Sequence, residues 1–186
     1  MCRAWCPHHV ANIRIVNMAE LWDVLDENGN KTGKIAERGP MGAGEYHLVV
    51  HVWIVNSKGE FLISKRTPNK TFPNMWECTG GSAVAGDDSL TTAIKEVQEE
   101  LGIVLAANNG ELFKRYRRNY YESGDFVDVW LFRQEVDLSD IVLQDGETCG
   151  AMLADRDKIN RMIDEGIFIC SNIFPYLDEF FEYCEA

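Results

Sequence analysis

Three glutamates lie close together in a segment whose residue spacing predicts a helix. Glu96, Glu99 and Glu100 fall within five positions of the stretch Lys95 to Ile103. At about 3.6 residues per turn, Glu96 and Glu100 lie one above the other, with Glu99 beside them. Like charges at this spacing repel each other and destabilise a helix. A divalent cation would offset that repulsion, since hard ions such as Mg²⁺ are held by a few carboxylates together with substrate phosphates.

The helix that must present these carboxylates is predicted to end at Leu101, before a glycine suited to a left-handed cap, Gly102. Asp87 or Asp88 can cap its start, and residues 80–87 form a glycine-rich turn region before it. Apolar residues recur at helical spacing, which predicts that they face a sheet and leave the glutamates outward. These apolar residues are Leu90, Ala93, Ile94, Val97 and Leu101.

The whole stretch resembles the signature of the Nudix superfamily, G-x5-E-x7-R-E-U-x-E-E-x-G-U, where U is a bulky aliphatic residue. The residues that match in register are Gly81, Glu96, Val97, Glu99, Glu100, Gly102 and Ile103. Asp87 stands where the family has Glu, and Lys95 stands where it has Arg. Both keep their charge sign, but Lys lacks the bidentate fork of Arg. The resemblance implies an α+β fold, namely an α/β/α sandwich with a mixed β-sheet, and a metal-dependent hydrolase.

A wider resemblance links roughly residues 20 to 170 to the Nudix branch that contains type 1 isopentenyl-diphosphate isomerases. It rests on residues 23–29, 46–51 and 73–76, and on Lys65, Arg66 and Lys70. That isomerase has a Cys directly before the first glycine of a Cys-Gly-His stretch, and histidines that hold a metal. Here no Cys immediately precedes Gly81, and Ser82 takes the His position. We therefore expect the isomerase centre to be absent and hydrolysis to be favoured.

The Nudix resemblance implies a role for each matching residue. Glu96, Glu99 and Glu100 would hold one to three Mg²⁺ or Mn²⁺ ions and activate a water. Lys95 would pin the carboxylates by charge, and Asp87 would orient them or bind metal through water. The signature glycine, Gly81, is a further candidate for substrate binding. Other candidates for substrate binding and proton transfer lie outside the signature and are Arg66, Lys70, Trp76 and Glu147.

Each of these candidates outside the signature also has a second, structural interpretation. Arg66 and Lys70 match positions that contact diphosphate in the isomerase branch, and they are equally well explained as surface cations. Trp76 could stack on a base or an isoprenoid, although a core or lid aromatic is favoured. Glu147, in the loop 144–147, is a candidate general base or an exposed turn residue. His47 and His51 share one face of a predicted strand and are interpreted as structural.

One basic cluster, residues 114–118, is interleaved with an aromatic residue. It could grip a polyphosphate or a single-stranded RNA end. Because side chains of a strand alternate between faces, a charged exposed strand is the favoured interpretation.

Composition narrows the function classes further. The chain of 186 residues has a net charge of −12 and a sequence pI near 4.7, which argues against a duplex nucleic-acid or anionic-membrane binder. No apolar run approaches the length of a membrane span.

We expect a small-molecule diphosphate as partner, while the sequence leaves the oligomeric state open and a homodimer possible. Three functions stay open: a diphosphate hydrolase acting on a nucleoside diphosphate derivative or related molecule, an isomerase-like enzyme, and a non-catalytic nucleotide sensor.

Six scattered cysteines favour free thiols in a reducing cytosol, and hence a cytoplasmic protein, over a disulfide framework. We expect residues 18–186 to form one domain and residues 1–17 to be a disordered extension, with Met18 as a candidate natural start. A zinc cluster of Cys2, Cys6, His8 and His9 is imaginable but disfavoured.

The remaining pattern predicts mostly strands before the last two helices. Strands are expected over 21–26, 32–38, 46–55, 61–66, 112–121, 126–136 and 151–153, and helices over 156–165 and 173–183.

Overall fold

The computed structural model describes residues 19–120, 123–169 and 172–185. The predicted extension over 1–17, with its candidate zinc ligands, lies outside the described residues, as does Met18. None of the helices described is long and apolar enough to cross a membrane.

Nine strands and three helices are described along these ranges. The strands are β1 Leu21–Leu25, β2 Lys31–Glu37, β3 Tyr46–Val55, β4 Phe61–Arg66, β5 Trp76–Glu77, β6 Thr79–Ser82, β7 Gly110–Tyr120, β8 Ser123–Arg133 and β9 Thr148–Ala154. The helices are α1 Ser89–Leu101, α2 Arg156–Asp164 and α3 Leu177–Glu185.

The sheet is mixed and is built around β3. This strand runs parallel to β8 along its whole length and antiparallel to β1, β4 and β6. β7 pairs antiparallel with β8, while β4 also pairs with β5 and β9. The hairpin of β1 and β2 extends the sheet beyond the start of β3.

Two hydrophobic cores lie on the two faces of this sheet, because successive side chains of β3 alternate between faces. Val50, Val52 and Ile54 pack with the apolar side of α1. Trp53 and Val55 pack with α2, α3 and a group of phenylalanines. Helices therefore cover both faces, and the predicted α/β/α sandwich is confirmed.

The local signals around α1 act as the sequence predicts. Asp88 caps the helix by accepting a hydrogen bond from the Thr91 amide at 2.7 Å. Gly102 ends it in the left-handed conformation, with φ of 72°. The long hairpin of β7 and β8 is also close to its predicted bounds.

Two predicted elements differ from the structure. The glycine-rich segment expected to be a turn begins as a strand, since β6 pairs with β3. Gly80 permits this pairing, because a side chain there would overlap the Val50 carbonyl. The last helix begins at Leu177 instead of residue 173, because Pro175 lacks an amide hydrogen and restricts the residue before it.

Candidate active site

Helix α1 presents its glutamates to a polar cavity of about 330 Å³, which we call the signature cavity. It is lined by Glu20, Arg38, Arg66, Lys70, Gly80, Gly81, Ser82, Val84, Glu96, Glu99, Glu100, Gln144 and Glu147. The fold thus brings seven of the residues that the sequence singled out to one cavity. Glu96, Glu99 and Glu100 lie here together with Arg66, Lys70, Gly81 and Glu147.

The prediction that all three glutamates point outward is wrong for two of them. Glu99 is exposed, but Glu96 and Glu100 are partly buried. Gly81 on β6 makes room for this arrangement, because a Cβ at Gly81 would overlap the Glu96 carboxylate. The inward turn of Glu96 therefore depends on a glycine that lies fifteen residues earlier in the chain.

Burial makes the ionised form of both inward glutamates costly. Desolvation, followed by the charge of Glu99, raises the pKa of Glu96 to about 7. Desolvation, followed by the charge of Glu77, raises the pKa of Glu100 to about 8. One carboxylate oxygen of Glu100, Oε2, is buried without a hydrogen-bond partner. The cavity therefore contains two carboxyl groups whose ionised form the surrounding side chains do not fully stabilise.

These features fit a hard divalent cation. Among the described residues no three acidic, histidine or cysteine side chains already converge as a metal cluster. The donors are nevertheless carboxylate oxygens, one of them unpartnered, in a cavity that also has cations suited to phosphate. A divalent ion bound by a few carboxylates, with water and substrate phosphates completing its coordination, matches this donor set.

Two of the cavity's cations are already ion-paired. The Arg66 guanidinium donates to Glu77 Oε1 at 2.6 Å and to the Thr71 carbonyl at 2.5 Å. Lys70 Nζ donates to Glu147 Oε2. Arg66 and Lys70 therefore stand beside the carboxylates in a fixed arrangement before any substrate arrives.

The loop that carries Glu147 is fastened to the C-terminal end of α1. The backbone N–H of Gln144 donates to the Glu100 carbonyl at 3.1 Å, and the Thr148 hydroxyl donates to the same carbonyl at 2.9 Å. Val142 donates to the Leu101 carbonyl at 2.9 Å. The last carbonyls of a helix lack partners within it, so these bonds satisfy them. They also fix the position of Glu147 relative to the signature glutamates.

Three residues named from the sequence do not line the signature cavity. Lys95 Nζ is 2.7 Å from Asp87 Oδ2, so the two residues that depart from the signature pair with each other. Trp76 lies beside Lys65, whose ammonium is 5.7 Å from the ring centroid, and packs against the aromatic core.

Sequence reasoning missed two residues of the cavity that come from the amino-terminal hairpin, Glu20 and Arg38. Their carboxylate and guanidinium are 2.8 Å apart. The hairpin register, in which Leu21 lies opposite Glu37, would have placed them opposite each other. No local signal places that hairpin beside α1. Glu77, the partner of Arg66, was also missed, because their contact depends on the pairing of β4 with β5.

The histidines and the basic cluster have structural partners. His47 stacks on Trp22 with ring centroids 4.0 Å apart, and the buried His51 lies 2.9 Å from the Tyr176 hydroxyl. Arg115 forms a bidentate pair with Asp128, and Arg118 forms one with Asp125; Lys114 pairs with Glu179. These contacts agree with the interpretation of residues 114–118 as a charged strand.

The fold is an α/β/α sandwich in which a carboxylate-bearing helix lies beside the cations Arg66 and Lys70. The NUDIX domain model matches residues 45–166. An uncharacterised Nudix hydrolase of Listeria monocytogenes is 39% identical over 153 residues, covering 81% of this chain and 88% of that protein. The chain belongs to the Nudix family, and it is a hydrolase acting on acid anhydrides in phosphorus-containing compounds.

Solved structures share the fold at lower identity. The Deinococcus radiodurans protein DR0079 has a TM-score of 0.67 at 20% identity and covers 90% of this chain and 100% of its own. The NUDIX domain of Shewanella oneidensis NrtR, solved with ADP ribose, has a TM-score of 0.52 at 15% identity. It covers 62% of this chain and 77% of its own.

Proposed function

We propose that this protein is a divalent-metal-dependent hydrolase that cleaves the diphosphate linkage of a nucleoside diphosphate derivative or a related small molecule. The observation that carries the proposal is the buried Glu100 carboxylate, with one oxygen unpartnered, in a cavity that also contains Arg66 and Lys70. A buried carboxylate without a partner is costly, so the site is built to receive a cation.

Glu96, Glu99 and Glu100 are the residues that would hold Mg²⁺ or Mn²⁺. Such an ion, when bound, neutralises diphosphate oxygens and lowers the pKa of a coordinated water. Asp87 and Lys95 support the start of α1 through their ion pair and act outside the cavity. Gly81 contributes by leaving space for Glu96, and Trp76 contributes packing behind the β4–β5 loop.

Arg66 and Lys70 bind the substrate's phosphoryl oxygens in this proposal. The Arg66 guanidinium is held by Glu77, and its planar donors suit phosphate oxygens. Lys70 is paired with Glu147 in the absence of substrate. When Lys70 moves to a phosphate, the Glu147 carboxylate is released and can accept a proton from the attacking water.

The nucleoside diphosphate class is proposed first because of the Shewanella domain of similar fold that was solved with ADP ribose. The isomerase alternative is less favoured by the surroundings of Cys78. This thiol is fully buried, and burial raises its pKa well above the ordinary value, so it stays protonated. Cys78 also does not line the signature cavity, so the thiol is set apart from the glutamates that would hold the metal.

The test is a substrate panel in Mg²⁺ or Mn²⁺ that contains sugar nucleotides, dinucleoside polyphosphates, nucleotides and prenyl diphosphates, with product detection. We expect cleavage of at least one diphosphate compound, and loss of that cleavage in Glu99→Gln. Glu182→Gln is the matched control, because Glu182 is an exposed helical glutamate on α3. Unchanged turnover in Glu99→Gln would contradict the mechanism. Rearranged prenyl product, or binding without cleavage, would favour the isomerase or the sensor.

A further inference from the structure

We propose that Arg38 is an additional diphosphate-binding residue and that Glu20 positions it. The inference rests on the proposed function of the signature cavity and adds a second element to it. Both residues belong to the amino-terminal hairpin, which lies before the matched family region of residues 45–166. The hairpin therefore contributes residues to the binding site in this chain.

The hairpin register places the two side chains together. The Arg38 amide donates to the Glu20 carbonyl at 2.8 Å, which continues the pairing of β1 with β2. The Arg38 guanidinium then reaches Glu20 Oε2 at 2.8 Å. Backbone and side-chain contacts thus hold Arg38 at one place beside the cavity.

Glu20 is itself held by a second contact. The Trp22 indole donates to Glu20 Oε1 at 2.7 Å, while its ring stacks on His47 of β3 at 4.0 Å. The Arg38 guanidinium carbon lies 5.9 Å from the Trp22 ring centroid. Since β3 is the central strand, this stack fixes the Glu20–Arg38 pair relative to the sheet.

The hairpin is also attached to the loop that leads into α1. Ala85 donates its amide hydrogen to the Leu21 carbonyl at 2.7 Å, and Gly86 donates to Asp23 Oδ2 at 2.9 Å. These bonds set the distance between the hairpin and the signature glutamates. Consistent with that proximity, both Glu20 and Arg38 line the same cavity as Glu96.

Arg38 is suited to bind an anionic ligand that enters this cavity. Its side chain is 60% exposed, and a guanidinium has five N–H donors, so the pair with Glu20 leaves capacity for a phosphate. Arg66 and Lys70 come from different elements, namely the end of β4 and the loop after it. Cations on two separate elements match a ligand with at least two phosphoryl groups better than a single phosphate.

The experiment measures binding of methylenediphosphonate, a diphosphate analogue that cannot be hydrolysed, by calorimetry with and without Mn²⁺. We expect Arg38→Met to weaken binding about tenfold, the effect of losing one charge-assisted contact. Arg38→Lys should retain part of the affinity. Arg38→Gln, which can still donate to Glu20, should lose as much affinity as Arg38→Met and serves if the latter unfolds.

The matched control is Lys34→Met. Lys34 lies on the same hairpin, pairs with Glu45 at 2.6 Å, and has a similarly exposed side chain, 58% against 60%. It does not line the signature cavity. Binding by Arg38→Met within about twofold of the Lys34→Met control would overturn the proposal.

A double-mutant cycle tests the positioning role of Glu20. If Glu20 acts through Arg38, Glu20→Gln weakens binding in the wild type and has no further effect in Arg38→Met. Independent, additive losses would overturn that role. The analogue is never cleaved, so this result is separate from the Glu99→Gln test: hydrolysis can fail while Arg38 still binds, and the reverse.

Discussion

The protein has two clusters of like charge that look equivalent in the sequence and differ in the folded chain. The glutamates of α1 lie in a cavity, where Glu100 keeps a buried oxygen without a partner. Three of the basic residues of β7 are instead paired with carboxylates, namely Lys114 with Glu179, Arg115 with Asp128 and Arg118 with Asp125. Arg117 donates to the Glu27 carbonyl. The first cluster contains a buried carboxylate oxygen without a partner, and most of the second is paired with carboxylates of the fold.

The difference shows which observation separates a site from a structural feature. A charged group that is desolvated and unpaired raises the free energy of the folded chain, and a bound ligand removes that cost. A charged group that already has an oppositely charged partner does not carry this free-energy cost. Both segments show the same high density of like charge in the sequence. The pairing and burial of the side chains therefore decide whether a segment is interpreted as a binding site or as a structural feature.

The largest effect is expected for Glu100→Gln, which removes a charge from the unpaired cluster. Metal assistance is worth several kcal/mol, so hydrolysis should fall by about two to three orders of magnitude. Without metal, the free energy of unfolding near pH 8 should rise, because the cost of ionising Glu100 is gone. Activity assays and urea unfolding in chelator measure both. Loss of activity together with loss of stability would show that Glu100 is structural.

A change of pH is expected to have an effect of intermediate size on the stability of the metal-free protein and on Mn²⁺ binding. The pKa values of Glu96 and Glu100, about 7 and about 8 in the folded chain, exceed the ordinary value of 4.5. Their contribution to stability is therefore complete below pH 4.5 and is lost as pH rises through the two folded values. Metal-free protein should lose unfolding free energy over this window, and Mn²⁺ should bind more tightly while displacing protons.

Urea unfolding in chelator and Mn²⁺ calorimetry across this pH range check that expectation. Glu100→Gln is the control and should flatten the upper part of the stability profile. A wild-type profile that rises with pH over the same range would mean that the two carboxylates are not desolvated as described.

The smallest effect is expected in the paired cluster, for Asp128→Asn. Asp128 is fully buried while its partner Arg115 is 44% exposed, so the substitution should lower the unfolding free energy by about 1–3 kcal/mol. Hydrolysis per folded molecule should not change. Lys114→Met, at an exposed pair, is the control and should change stability by less than about 0.5 kcal/mol. Loss of hydrolysis in Asp128→Asn without loss of stability would give the basic cluster a functional role.

Much of the fold could be predicted from local patterns. Continuous apolar runs predicted β3 and β4, and helical spacing with Asp88 and Gly102 as caps predicted α1. The short strands β5 and β6 were not predicted, because they have only two and four residues and belong to the sheet through pairing with β4 and β3. Their stability comes from partners and not from their own propensity.

The residues of the site divide in the same way, into those that local spacing groups together and those that only distant contacts bring together. Glu96, Glu99 and Glu100 could be grouped because a helix brings residues four apart onto one face. Arg38 could not be grouped with them, since its place depends on a hairpin attached to a distant loop. The Lys70–Glu147 pair likewise joins residues 77 positions apart.

The sequence by itself determined the carboxylate-bearing helix, its ends, the alternating strands and the family, because each depends on interactions among near neighbours in the chain. Only the tertiary structure decided that Glu96 turns inward against Gly81, that Glu100 is partly buried, and that Arg115 and Arg118 are paired with carboxylates. The physical reason is that desolvation and ion pairing depend on which distant segments come into contact. A charge acquires its pKa and its function from that contact, which spacing along the chain does not specify.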